Sequence, residues 1–329
     1  MVTTPAAGSD FPLTTREGWQ HFVDTNTDDA GLPADAGSVQ ERLDHHARLV
    51  VVATPTIRKV FTTGRRLVLL NRHQVSARRG LFVVGSAGTG KTTAITQLGR
   101  NHELLLRQRL GEAATDNRLP VVYVTVPPAA TPKMVAIEFA RFIGLDFDPR
   151  DSQTAITNAV CDVLCRLKAE LVLVDEIHNI RLATRIGAEA SDQLKYLAER
   201  IPATFVYSGL SVDGLFSGLR GQQLAGRFGV LESQPFAYGS ATQRGEWRSL
   251  IATLDAALRL NRHRPGSLLK LDEYLCRRAN GMIGSLSHLI RGAAMEAILD
   301  GTERITRQLL AKILLDQAAE NGKRNKRER

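Results

Sequence analysis

Gly85-Ser86-Ala87-Gly88-Thr89-Gly90-Lys91-Thr92 is a G-x-x-x-x-G-K-T loop, and it directly follows Leu81 to Val84, four apolar residues that predict a buried strand. Phosphate chemistry needs that order. The strand delivers the loop, the glycines let backbone N–H groups turn inward around an anion, and the next helix points its N-terminus at the charge. Lys91 is placed to reach the β- and γ-phosphates, Thr92 to ligate Mg²⁺, and Thr93 to complete the cradle. A strand before the loop and a helix after it distinguish this stretch from a Gly-rich turn that happens to end in Lys-Thr. The stretch predicts a nucleoside triphosphate site.

Its second half is Leu171-Val-Leu-Val174-Asp175-Glu176. Four aliphatics read as a central parallel strand, with the acidic pair at the C-terminal end, where open α/β sheets place ligands. Asp175 is suited to hold Mg²⁺, directly or through water. Glu176 is the better candidate to polarise an attacking water, as a base or water-positioning residue does in phosphoryl transfer. An aliphatic run ending in Asp-Glu is a weak signal alone; beside the phosphate loop it points to hydrolysis of the nucleotide, not only to its binding.

The elements that must position these groups alternate. Before the loop, helical periodicity starts at Ser38 and again at Pro55, running to about residue 72. After it come a helix from Thr92 to Leu110 and a strand from Val121 to Val126. Thr131 then caps a helix with Pro132 in its first position, and Asp151 caps another. A helix around Gln193 to Glu199 and a strand from Thr204 to Tyr207 complete the series. Strand alternating with helix implies a parallel sheet covered on both faces. Past about residue 233 strand signals stop, and 241–260, 267–279, 284–299 and 305–319 are all helical in period. The expected organisation is a flexible N-terminal arm (1–37) with Phe11, Trp19 and Phe22 as anchors, an α/β core with leading helices (38–232), a helical lid (233–320) and a basic tail (321–329).

With 43 Lys and Arg against 34 Asp and Glu, the chain carries +9, which favours an acidic partner such as nucleic acid. Aromatic content is 5%, so contact with backbone phosphates is favoured over base stacking. No stretch reaches a membrane span and no signal sequence opens the chain, which predicts a cytoplasmic protein with no membrane contact. Cys161, Cys165 and Cys276 have neither metal nor disulfide spacing and read as reduced core thiols. His45 and His46, being adjacent, point to different helix faces and do not read as a metal site.

An α/β phosphate-loop core with a C-terminal helical lid is the layout of AAA+ ATPases. Asp175-Glu176-Ile177-His178-Asn179, Arg79-Gly80-Leu81, Thr54-Pro55 and the Gly281-Met-Ile-Gly284-Ser-Leu286 helix start resemble the TniB/TnsC group, AAA+ regulators of DNA transposition related more distantly to MuB and IstB. The resemblance covers roughly residues 40–318. It implies an ATPase that needs Mg²⁺, assembles as a homo-oligomeric ring or helical filament on duplex DNA, marks a target and stimulates a transposase, with a target-site recruiting protein as a further partner. By motif, Gly85, Gly90, Lys91 and Thr92 take phosphate and metal, and Asp175 and Glu176 take metal and water. Ser208 fits the polar sensor position, and Arg227 the arginine finger that reaches a neighbouring subunit, with Arg220 as the alternative. Thr131 and Lys133, and more weakly Arg181 and Arg185, are the expected DNA-phosphate contacts. One departure is Gly284, where many AAA+ lids carry a sensor arginine. Either Arg291 substitutes, or the lid reads nucleotide state by packing.

Other classes share parts of this pattern. Asp175-Glu176-Ile177-His178 also matches a helicase DExH box, but residues 233–320 lack the strands of a second lobe. A helicase-loader or initiator-type ATPase, a nucleotide-gated DNA scaffold, and a defence or signalling ATPase with little turnover all keep the same nucleotide motifs.

Overall fold

The computed structural model describes residues 11–25, 37–48, 50–111, 117–181, 184–211, 226–317 and 319–320. Arg220 and the basic tail lie outside the described residues.

A five-stranded parallel sheet forms the core: β1 (Gly80–Val84), β2 (Val121–Thr125), β3 (Leu171–Asp175), β4 (Thr204–Gly209) and β5 (Phe228–Glu232), in spatial order β2-β3-β4-β1-β5. The first four are buried along their whole length, save intermediate Thr125 at the end of β2, which is why they read as near-continuous aliphatic runs. β5 sits at the edge with a mixed burial pattern, and its Phe-Gly-Val-Leu-Glu composition gives the sequence no comparable strand signal.

Around the sheet pack α3 (Pro55–Asn71) and α4 (Lys91–Leu110), together with α5 (Pro132–Phe142), α6 (Gln153–Arg166) and α7 (Arg185–Arg200). Thr131 caps α5 by accepting from Met134 N, as its Thr-Pro start predicts. The cap of α6 is Ser152 rather than Asp151, whose carboxylate turns back to accept from Asp148 N. Cys161 and Cys276 are buried, but Cys165, four residues on from Cys161, lies exposed on α6.

Within the segment expected to be an arm lies a nine-residue helix, α1 (Arg16–Asp24). Trp19 is its anchor, fully buried against α4, where the bare Cα of Gly99 leaves room for the indole. Truncating such a tryptophan typically costs about 3–5 kcal/mol, enough to order a short helix.

The lid comprises α8 (Ala241–Ala256), a 3₁₀ turn (Leu268–Leu271), α9 (Asp272–Ala279), α10 (Ile283–Leu299) and a short α11 (Arg307–Lys312). The periodicity over 305–319 overestimates that last helix. The lid has its own hydrophobic core, separate from that of the sheet. The leading helices divide between the two. α2 (Val39–Ala47) packs on α10, and Leu43, Val50 and Val52 join the lid core, while Ile57 and Phe61 of α3 join the sheet core.

Candidate nucleotide site at the carboxyl edge of the sheet

The loop after β1 and the acidic end of β3 meet at the C-terminal edge of the sheet, as parallel α/β topology requires. Gly90 takes φ 87° and starts α4 with no side-chain cap, so the first N–H groups of that helix are not covered by its own chain. Lys91 Nζ donates to Ser86 O at 2.8 Å, spanning the loop. Burial holds its ammonium below the ordinary lysine range, opposed by the charges of Asp175 and Glu176.

Thr92 Oγ1 donates to Asp175 Oδ2 at 2.7 Å, joining the two motifs. Asp175 is buried, and two further donors fix it: Tyr123 OH on Oδ2 at 3.2 Å and Glu176 N on Oδ1 at 2.9 Å. Burial, and then the Asp175 charge, raise the Tyr123 phenol well above its ordinary range, so it stays a proton donor. A carboxylate and a hydroxyl side by side are hard oxygen donors of the kind that suits Mg²⁺. Glu176 adopts φ 58°, a left-handed conformation uncommon for a residue with a side chain, which turns the chain sharply where β3 ends. Its carboxylate meets His178 Nε2 at 3.2 Å. Ser208, beside Val83 in the β4–β1 register, is fully buried, and its Oγ has no hydrogen-bond partner among the described residues.

Lys91, Thr92, Glu176 and His178 border a cleft of about 610 Å³, with Asp175, Tyr123 and Ser208 buried behind its wall. Gly88, Lys91, Thr92 and Glu176 line its floor; Val50–Val52, Ile57 and Ile283 give it an apolar roof, flanked by Ser287, His288 and Arg291 of the lid. The lid touches the loop directly, Gly284 N donating to Gly88 O at 2.9 Å, and a Cβ on Gly284 would meet that oxygen at 3.2 Å. Glycine at this position therefore permits a close backbone contact that a long side chain would hinder. Arg291 borders the cleft, but its guanidinium donates to the carbonyls of His46 and Ala47 at the end of α2.

Other expected residues lie apart. Arg227 precedes β5 at the opposite edge of the sheet, its carbonyl accepting from Gly80 N and its guanidinium paired with Glu199 at 2.7 Å. Thr131, Lys133, Arg181 and Arg185 all follow the C-terminal ends of strands. Lys133 Nζ donates to Pro149 O, Arg185 pairs with Glu189, and Arg181 is exposed.

Sequence reasoning missed Tyr123 and Ser233. Alternation along β2 places Tyr123 and Thr125 on one face, and the neighbouring strand of an acidic strand end is where a carboxylate's partner would be sought. Ser233, buried just past β5, donates to Thr89 O at 3.0 Å and ties the loop to the sheet; a lone serine before Gln-Pro gives no such signal.

The family model described as Bacterial TniB protein matches residues 43–238, well over half of the chain. The chain belongs to the TniB family. A comparison with curated proteins finds no match. Among solved structures, this TniB protein is similar to the Aeropyrum pernix ORC1 protein in complex with DNA (17% identity, TM-score 0.58), covering 80% of its own length and 64%, under two thirds, of that chain. It is also similar to the Aeropyrum pernix ORC2 protein in its ADP form (17%, TM-score 0.60, 82% and 71% covered) and to Drosophila ORC bound to DNA (14%, TM-score 0.56, 95% and 69%). At these identities the likeness is one of fold: an AAA+ phosphate-loop core with a helical lid. Among the described residues no helix is long and apolar enough to cross a membrane.

Proposed function

We propose that this AAA+ ATPase is an ATP-dependent, DNA-binding regulator of transposition, which assembles on duplex DNA, marks a target and activates a partner transposase. The observation that carries the nucleotide reading is the 2.7 Å bond between Thr92 and Asp175, which brings two motifs distant in sequence into one site. TniB membership supports the transposition role, and the +9 charge supports a nucleic-acid partner.

In this reading the backbone of residues 85–93 wraps the phosphates and Lys91 spans the β- and γ-groups. Thr92 and Asp175 hold Mg²⁺, which when bound neutralises phosphate charge. Glu176 accepts the proton of the attacking water, and Ser208 Oγ, buried without a partner, orients that water or a γ-oxygen. Arg227, which stands before β5 at the end of the sheet away from the phosphate loop, serves a neighbour's nucleotide, and turnover follows assembly. An arginine supplied in trans is worth about 10³–10⁵ in phosphoryl-transfer rate. Lys133, Arg181 and Arg185, with the α5 N-terminus, contact DNA phosphates at the same edge. Affinity then falls steeply with salt and shows little sequence preference.

Electron microscopy with duplex DNA tests this. Rings or filaments that need ATP and vanish in Lys91→Ala are expected; particles that stay monomeric on every nucleotide, or oligomers indifferent to DNA, overturn it. An initiator- or loader-type role is the second reading, favoured by the ORC-like fold. ATP-dependent assembly on DNA with no stimulation of a cognate transposase would select it.

A further inference from the structure

Three side chains run in line from the N-terminal helix to the acidic strand end. Trp19 of α1 is fully buried and stacks on the Tyr123 ring, with centroids 6.0 Å apart and planes inclined by 16°. The Tyr123 hydroxyl in turn donates to Asp175 Oδ2, the same oxygen that accepts from Thr92. The far end of the line is fastened too. Trp19 Nε1 donates to buried Glu103 at 2.7 Å, and Glu103 pairs with Arg107, which also holds Asp24 at the end of α1. α1 is thus seated by polar contacts chosen for the indole, not by apolar burial alone.

We propose that Tyr123 is a positioning residue for Asp175, kept in place by Trp19, so that the metal affinity of the nucleotide site depends on the docking of α1. This rests on the reading that Thr92 and Asp175 hold Mg²⁺. A carboxylate that binds metal with one lone pair is oriented by what its remaining lone pairs accept, and loss of such an outer partner typically costs about 10–100-fold in metal affinity or activity. Thr92 must serve the cation as well as the carboxylate. The Tyr123 hydroxyl, which also meets Thr125 on the same strand face, is a side-chain donor on Oδ2 that serves no cation, so together with Glu176 N on Oδ1 it holds the Asp175 rotamer whichever way Thr92 turns. Trp19 limits the ring's freedom to tilt away. A partner that lifts α1 from α4 would loosen the metal without touching the cleft.

The test separates metal from nucleotide. Fluorescence titration with mant-ADP, in EDTA and then in saturating Mg²⁺, gives the gain in affinity due to the cation. Tyr123→Phe keeps the ring and its stack; its affinity in EDTA is expected to equal that of the unmodified chain, while the Mg²⁺ gain falls about tenfold. Trp19→Leu is expected to lower the gain in the same direction and by less. In the Tyr123→Phe background it is expected to add nothing, because its effect passes through the hydroxyl. Trp19→Phe, which keeps an aromatic ring in place, should restore most of the loss. An unchanged Mg²⁺ gain in Tyr123→Phe overturns the proposal, as does a Trp19→Leu effect of equal size in both backgrounds. Weaker binding in EDTA as well as Mg²⁺ marks a merely structural role and also overturns it. An unmodified chain that binds no mant-ADP defeats the nucleotide reading itself, and this inference with it.

Discussion

The floor and the roof of the cleft are built on different physical principles. The floor is polar and cross-linked: Asp175 is held by three donors, the loop is tied to the end of β5 through Ser233, and β1 and β3, which carry the two motifs, are buried along their length. The roof is apolar and joined by backbone contacts: Val50–Val52 from the strand-like linker, Ile283 from the lid, and a single Gly284–Gly88 hydrogen bond. The contrast teaches that the polar groups are gathered where the chain is most buried and most cross-linked, while the apolar cover above them is joined to the loop by fewer bonds.

The largest effect should come from the floor. Glu176→Gln is expected to cut turnover by about 10²–10⁴ while nucleotide affinity holds, measured by single-turnover hydrolysis beside equilibrium binding. Equal losses of both would move Glu176 from base to ligand. The roof should respond instead to acid. Burial, and then the neighbouring His45, lower the His46 imidazole from 6.5 to about 4, and its Nε2 accepts from Arg259 N at 3.3 Å. The unfolded chain binds a proton near 6.5 that the folded chain resists until about 4. Stability therefore rises with pH across that window and is lost as pH falls through it, by up to about 3 kcal/mol. Thermal melts from neutral to acid pH check this, and His46→Gln, which still offers an acceptor, should flatten the slope. An unaltered slope would show that another group titrates.

Arg291→Ala comes next. It frees the His46 and Ala47 carbonyls and should cost about 1.5–3 kcal/mol in unfolding experiments. Acting through α2, it should weaken ATP and ADP alike. A loss confined to ATP would make Arg291 the γ-phosphate sensor that Gly284 displaces. The smallest effect belongs to Ser233→Ala, about 0.5–1.5 kcal/mol in denaturant melts, since a neutral hydrogen bond to Thr89 and a longer one shared with Thr56 are lost.

What could be read from the sequence follows the same division. The floor was legible because its geometry is local: strand, loop and helix are contiguous, and the acidic pair lies at a strand end. Ser208 could be placed by strand order. The seating of α1 was not legible, because Trp19 finds Tyr123, Glu103 and Gly99 on two distant elements, and a lone tryptophan among Thr, Asp and Gly looks like a loop anchor. Nor was the split of the leading helices. The apolar face of α2 fits either body; the buried Arg42–Glu303 pair at 2.7 Å and the Arg291 bonds assign it to the lid, and both depend on residues hundreds of positions away. The fifth strand was silent because an edge strand need not be apolar on both faces.

Since α1 and α3 pack with the sheet while α2 packs with the lid, the chain passes between the two cores three times: before α2, at residues 50–54 and again at 233–240. One of those crossings lies in the cleft itself, where Val50, Val51 and Val52 line the wall. Whatever fills the cleft therefore touches, besides the loop, a stretch of chain that joins the two cores.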